Sequence, residues 1–236
     1  MRDDNVLPGF RGTGAEMSML ALSNILAHRG SWNSDIPKNS RDAFSRALLA
    51  GYGLETDIRD LDGELVVSHD PPKTSDDIIP FDWLLEFYVA NRCTGVLALN
   101  IKSDGLAAMS KAALLRHGVS AYFVFDMSIP DTLWYLNADM PAYSRVSEYE
   151  PEPALADRCS GIWLDNFTGN FPQVDATIKL QALGKPIAIV SPELHKRAHE
   201  AFWASLRDQA GLDMSSILLC TDFPDEAASF FRSATL

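Results

Sequence analysis

The stretch LETDIRDLDGELVVSHD, residues 54–70, decides how the strands of this chain are counted. It holds two apolar, strand-prone runs, 54–58 and 64–69, separated by a few residues. Parallel neighbours need a crossover of about a dozen residues or more, so the second run must return antiparallel to the first. Asp62-Gly63 between them is a hairpin signal, because both residues tolerate the positive φ of a tight turn. A two-residue turn would set His69 opposite Thr56. A three-residue turn with a glycine bulge would set it opposite Asp57, on the face shared with Glu55. The bulged turn is expected.

Outward from the hairpin, strand-prone runs fall at 25–28, 96–102, 122–125, 142–146, 162–165, 187–190 and 217–221. With 54–58 they make eight once the returning strand is set aside. Helix-like segments alternate with them at 40–50, 106–117, 131–136, 174–183, 192–210 and 225–232, with Asn39 or Ser40 as a cap and glycines at 51, 118, 184 and 211 as stops. The alternation predicts an α/β fold, a single-domain TIM (β/α)8 barrel with a β-hairpin after its second strand. No linker or compositional break divides the chain. Residues 1–20 read as an N-terminal extension and 21–236 as the barrel.

Composition narrows the function. A formal net charge of −12 disfavours nucleic-acid or anionic-membrane surfaces, which need a basic face. No apolar run approaches the roughly 18 residues of a membrane span, so stable membrane insertion is not expected. Cys93, Cys159 and Cys220 are far apart and odd in number, which indicates neither a disulfide framework nor a zinc site. The first twenty residues lack the apolar core of a secretory signal, and a cytoplasmic enzyme is expected. The oligomeric state is not legible.

In such a barrel the active site lies at the C-terminal ends of the strands. There the chain places His28 and Arg29, Glu55 and Asp57, Asn100 and Lys102, Asp126, Arg145 with Glu148, Asp165, Ser191 and Asp222. With His69 the first three pairs form a coherent set. Two histidines can serve as general acid and base, alternate carboxylates can hold a hard divalent cation, and Arg29 and Lys102 can neutralise a phosphoryl group.

These residues fall in motifs that resemble the glycerophosphodiester phosphodiesterase family: AHRG at 27–30, ETD at 55–57, DGELVVSHD at 62–70, NIK at 100–102 and TDFP at 221–224. Together they run along nearly the whole chain in the family's order. The resemblance implies hydrolysis of a small-molecule phosphodiester, typically releasing an alcohol and glycerol 3-phosphate in lipid-headgroup metabolism, with bound Mg2+ or Ca2+. It implies His28 and His69 as acid and base, Glu55 and Asp57 as metal ligands, and Arg29 and Lys102 as phosphate contacts. In that family a neighbouring glycerol hydroxyl attacks phosphorus first, and water opens the resulting cyclic phosphate.

Two positions depart from the family pattern. Pro37-Lys38-Asn39 stands where Pro-Glu-Asn is usual, and Asn100 stands where a third carboxylate ligand precedes the Ile-Lys pair. Asn100 can still offer an amide oxygen to a hard cation, with Asp126, Glu148 or Asp165 as further candidates. Lys38 is read as a substrate-binding charge against the alternative of a solvated loop lysine. Trp163 and Phe167 are candidates for an apolar wall, and His117, His195 and His199 read as helix or surface residues. Alternatives to the small-molecule hydrolase are a phosphodiesterase or cyclising lyase for a sugar or lipid headgroup, and a non-catalytic barrel that binds phosphate ligands.

Overall fold

The computed structural model describes residues 20–74 and 77–232. The strands are β1 (Ile25–His28), β2 (Gly53–Leu61), β3 (Glu64–Val67), β4 (Ile79–Pro80), β5 (Leu97–Ile101), β6 (Tyr122–Phe125), β7 (Tyr143–Val146), β8 (Gly161–Leu164), β9 (Ile187–Val190) and β10 (Ile217–Thr221). The helices are α1 (Arg41–Leu49), α2 (Phe81–Ala90), α3 (Ala107–His117), α4 (Ile129–Asn137), α5 (Gln173–Gln181), α6 (Glu200–Asp208) and α7 (Pro224–Arg232). Residues 1–19, which hold nearly all of the expected extension, lie outside the described residues; Leu20 is buried in the core.

Eight strands run parallel in a ring. β2 pairs with β1, followed by β10, β9, β8 and β7, and on its other side with β5 and then β6. The ring closes between β6 and β7 through a single parallel bridge, Val124 with Ala142, where the Val124 amide donates to the Pro141 carbonyl at 2.9 Å. This is the expected TIM barrel, with seven helices among the described residues and none following β7.

Side chains alternate along each strand, so one set faces the helices and the other fills the barrel. The inner set includes Leu26, Ala98, Phe123, Phe125, Tyr143, Trp163, Ala188, Val190, Leu218 and Cys220. Stacked pairs, Phe123 on Tyr143 and Phe125 on Trp163 at centroid distances of 3.7 and 3.8 Å, plug the β6 to β8 side. Trp163 is therefore barrel core. A Cβ on Gly161 would lie 2.4 Å from the Tyr143 ring, so only glycine fits beneath that stack. Two residues further along most of these strands the inner position turns polar: His28 after Leu26, Asn100 after Ala98, Arg145 after Tyr143, Asp165 after Trp163 and Asp222 after Cys220. The barrel is thus dry below and charged at its C-terminal mouth.

The hairpin turn differs from the expected bulge. β2 and β3 pair from Leu61 with Glu64 to Ile58 with Val67, leaving a two-residue turn in which Asp62 and Gly63 take φ of 52° and 86°. Two successive left-handed residues match the strand twist without an insertion. β3 ends at Val67, and this register extended would set His69 opposite Thr56 rather than Asp57.

Three other expectations are corrected. Helix α2 stands where the sequence reading assigns none. Its buried face, Phe81, Leu84, Leu85 and Tyr88, has helical spacing, but the half-buried Trp83 and Phe87 at the edges of that face and the exposed Val89 obscure the pattern. The run 147–153, where Ser-Glu ahead of the prolines reads in the sequence as the start of the helix after the sixth parallel strand, is a turn with reciprocal backbone bonds between Ser147 and Glu150, and Pro151 and Pro153 deny it helical amides. The segment 192–210 is broken into a 3-10 turn, Pro192–His195, and α6, with Lys196 at φ 60° between them. Ser40 rather than Asn39 caps α1, accepting from the Ala43 amide at 3.2 Å.

Candidate active site

The chain reverses after β1 through two left-handed residues, Arg29 at φ 57° and Gly30 at φ 93°. A Cβ on Gly30 would meet Ala43 at 2.7 Å, so the glycine lets the loop pass close to α1. The Arg29 amide donates to the Glu55 carbonyl at 2.9 Å. Its side chain turns back into the mouth, where Nε lies 2.9 Å from Oδ2 of Asp57. A strained non-glycine residue held on both sides in this way is the kind of backbone cost found at functional sites.

His28 meets two carboxylates. Its Nδ1 is 2.6 Å from Oδ1 of Asp222, and its Nε2 is 3.9 Å from Oε2 of Glu55. Burial opposes the charge on Asp222, but the hydrogen bond and charge of His28 and the Lys38 ammonium outweigh it and hold its carboxyl below the usual range. An ionised Asp222 can only accept, so His28 carries its proton on Nδ1 and turns Nε2 to the mouth.

Lys38 is paired with a carboxylate at the mouth. Its Nζ sits 3.1 Å from both Asp222 oxygens and 4.2 Å from the centre of the Trp32 ring, whose Nε1 donates to the same carboxylate at 3.2 Å. Asp222 thus gathers His28, Trp32 and Lys38.

Glu55, Asp57 and Asn100 are all buried at the ends of neighbouring strands. Asn39, φ 53°, donates to Oδ2 of Asp57 at 2.9 Å and accepts from the Thr56 hydroxyl at 3.0 Å. Asn100 Nδ2 lies 3.4 Å from Oε1 of Glu55. Three oxygens of this group, Oε2 of Glu55, Oδ1 of Asp57 and Oδ1 of Asn100, are buried without a hydrogen-bond partner. Burial first, and the charge of Asp57 second, push Glu55 up to about 6 against the pull of His28, Arg29 and Lys102. Orphaned acceptors and a strained carboxylate fit a hard cation, whose ligands are oxygens. Among the described residues no three of His, Cys, Asp and Glu are arranged to hold a metal, so the third oxygen would have to come from Asn100.

Lys102 Nζ lies 3.5 Å from Asp57 and 3.6 Å from Asp126, and Arg145 links Asp126 to Glu150. Cys220, buried beneath His28 and Asp222, has its thiol pushed well up by burial and by surrounding carboxylates, consistent with an inert packing role.

His69 is not brought into this group. It is 48 % exposed at the rim, with Nδ1 2.8 Å from Oδ1 of Asp70 and its carbonyl accepting from Arg59 Nε at 2.9 Å. The Ser68 amide donates to the Asp57 carbonyl at 3.1 Å, which tethers the rim beside Asp57. His195 and His199, read as helix or surface residues, are placed differently. His195 Nε2 is 2.7 Å from Asp165 at the mouth, and His199 is buried against Trp203 and Glu226. Of the spare carboxylates, Asp126 serves Lys102 and Arg145, Asp165 serves His195, and Glu148 accepts from the Phe167 and Thr168 amides. Sequence reading missed Asn39 and Trp32 as site residues; their only signal was position in the loop after the HRG motif. A groove of about 450 Å³ between the start of α5 and α6 contains none of these residues. The chemistry, rather than that hollow, locates the site.

The fold is the one found in solved glycerophosphodiester phosphodiesterases. A proposed glycerophosphodiester phosphodiesterase from Galdieria sulphuraria superposes with a TM-score of 0.71 at 14% identity, covering 89% of this chain and 97% of the other. A glycerophosphoryl diester phosphodiesterase from Parabacteroides distasonis gives 0.64 at 16%, covering 92% and 87%. An Oleispira antarctica phosphodiesterase, solved with its product sn-glycerol-3-phosphate, gives 0.63 at 18%, covering 89% and 96%. No family model matches the chain, and no curated protein matches it in sequence. Among the described residues no helix is long and apolar enough to cross a membrane.

Proposed function

We propose that this chain is a phosphoric diester hydrolase acting on a glycerophosphodiester-like small molecule in the cytoplasm, with His28 as acid/base and a divalent cation, Mg2+ or Ca2+, held by Glu55, Asp57 and Asn100. The observation that carries this reading is the set of three buried oxygens on those residues that accept no hydrogen bond, gathered beside His28. When bound, the cation supplies charge neutralisation of the phosphoryl oxygens and a lower pKa for a coordinated hydroxyl. His28 Nε2 takes the proton of the attacking hydroxyl while Asp222 stabilises the imidazolium that results. His69, on the rim segment tethered to the Asp57 carbonyl, donates its own proton to the departing alcohol oxygen, a role that requires its ring to turn from Asp70 toward the mouth. Arg29 and Lys102 offset the phosphate charge from the side of Asp57, and two buried carboxylates facing an anion without a cation would repel it.

Turnover of a panel of phosphodiesters, followed with EDTA and then with Mg2+, Ca2+ or Mn2+ restored, tests the reading directly. Hydrolysis of at least one glycerophosphodiester, lost with chelator and regained with one of the ions, is expected. Equal turnover in EDTA and Mg2+ would remove the cation from the reading, and no turnover of any diester would remove the reaction.

Lys38 acts in this reading by positioning Asp222, and through it His28. Lys38→Met is expected to lower kcat about tenfold with little change in KM, in line with the loss of one charge-assisted bond. A rise in KM at unchanged kcat would instead make Lys38 a direct substrate contact.

A further inference from the structure

The side of the mouth opposite His28 is built but has no part in the chemistry above. It joins the proposed centre through a continuous chain: Asp57 to Lys102, Lys102 to Asp126, Asp126 to Arg145, and the Arg145 guanidinium 6.0 Å from the Phe167 ring centre. Phe167 is 38 % exposed and Tyr149 is 70 % exposed, their rings tilted with centroids 5.9 Å apart. The loop that presents Phe167 is clamped from both sides. Glu148 accepts from the Phe167 amide at 3.1 Å and from that of Thr168, and Arg197 donates to the Phe167 carbonyl at 2.8 Å and to that of Asn166. An aromatic face kept in water on an over-determined loop is a preorganised contact surface, because apolar packing alone would have drawn it inward.

From this geometry we infer that the β7 to β8 side of the mouth is a leaving-group subsite for a neutral, hydroxyl-rich ring, so that the preferred substrate is a sugar or cyclitol phosphodiester. The inference rests on the hydrolase reading above. Charge pairing selects the occupant. Asp126 and Glu150 are taken by Arg145, Asp165 accepts from the Asn166 amide at 2.7 Å and meets His195, and Glu148 is taken by the loop amides. A quaternary ammonium would find no unpaired carboxylate here and would be repelled by the Arg145 guanidinium, 6.0 Å from the Phe167 ring centre. An acyl chain would strip water from Arg145 and His195 without replacing their hydrogen bonds. A hydroxylated ring satisfies both demands. Its C–H face lies on Phe167 and Tyr149, and its hydroxyls reach Arg145 and the Nδ1 edge of His195, whose Nε2 is committed to Asp165.

The test uses the full chain and three diesters of glycerol 3-phosphate, carrying methyl, choline and myo-inositol. The inositol diester is expected to exceed the choline diester in kcat/KM by about tenfold, the scale of one good aromatic contact plus one hydrogen bond. Phe167→Ala should cut the inositol-over-methyl ratio about tenfold and Tyr149→Ala about threefold. Preference for choline or methyl, or equal losses on all three diesters, overturns the subsite. Should none of the three be hydrolysed, the hydrolase reading fails by itself. Saturation-transfer NMR with inositol 1-phosphate then still reads the subsite: binding weakened about tenfold by Phe167→Ala supports it, and absent or unaltered binding overturns it.

Discussion

Replacing His28 by alanine is expected to lower kcat/KM for a glycerophosphodiester about a thousandfold, the middle of the range for a positioned acid/base. The expectation rests on how the ring is held. The bond from Nδ1 to an ionised Asp222 selects the tautomer and fixes the ring plane, and Nε2 is left 3.9 Å from Glu55 at the mouth. Truncation removes the proton carrier and leaves Asp222 with Lys38 and Trp32, so the barrel itself should persist, with an unchanged far-ultraviolet circular dichroism spectrum. Added imidazole should restore part of the rate, because the cavity left behind still faces Asp222. His69→Ala, from the rim, should cost about a hundredfold. Activity of the His28 variant within a few-fold of the parent, with fold intact, would defeat the assignment.

Glu55→Gln should make the metal-free protein more stable while abolishing turnover. A carboxyl raised to about 6 in the folded chain contributes stability that is fully present below its ordinary pKa of 4.5 and is lost as pH rises through 6. At pH 8 the fold therefore carries a penalty on the order of 2 kcal/mol at this position, which an isosteric neutral amide removes. For a domain of this size that corresponds to a gain of about 5 °C in Tm at pH 8, shrinking to nothing below pH 4.5. Metal should act in the opposite direction. Mg2+ or Ca2+ well above its Kd should raise the parent Tm by mass action and leave the Glu55→Gln variant unmoved. Differential scanning calorimetry at about pH 4 and about pH 8, with and without each ion, separates the two effects. A variant that loses stability at the higher pH, or that responds to the ions as the parent does, contradicts the placement of Glu55 as a buried ligand. The same carboxylate that would hold the cation is, on this account, a cost to the empty fold, as with other functional groups retained against stability.

Much of this molecule is legible in its sequence. The eight parallel strands, the returning hairpin and the polar strand ends of Glu55, Asp57, Asn100 and Lys102 follow from local alternation and from the short link between 58 and 64, since period and loop length are properties of the chain itself. Other features were not. The count of turn residues depends on whether Asp62 takes a left-handed conformation, which aspartate permits but does not require. That choice moved His69 away from Glu55 and Asp57. Helix α2 was hidden by Trp83 and Phe87, which widen its apolar face beyond a simple helical stripe. The turn after β7 was hidden because Ser-Glu before a proline reads equally as a helix start.

Lys38 and His195 mark the boundary most clearly. In sequence both are lone polar residues with many possible partners, 184 positions from Asp222 in one case and 30 from Asp165 in the other. Barrel closure sets β10 beside β1 and carries β9 past β8, and only that brings each residue to its carboxylate. The sequence by itself determined the barrel, the order of its strands and which residue types ring its mouth, because these depend on nearest-neighbour patterning. The tertiary structure alone decided that Lys38 pairs with Asp222, that three buried oxygens of Glu55, Asp57 and Asn100 accept no hydrogen bond, and that Phe167 and Tyr149 stand across the mouth from His28, because pairing and burial are relations between distant segments.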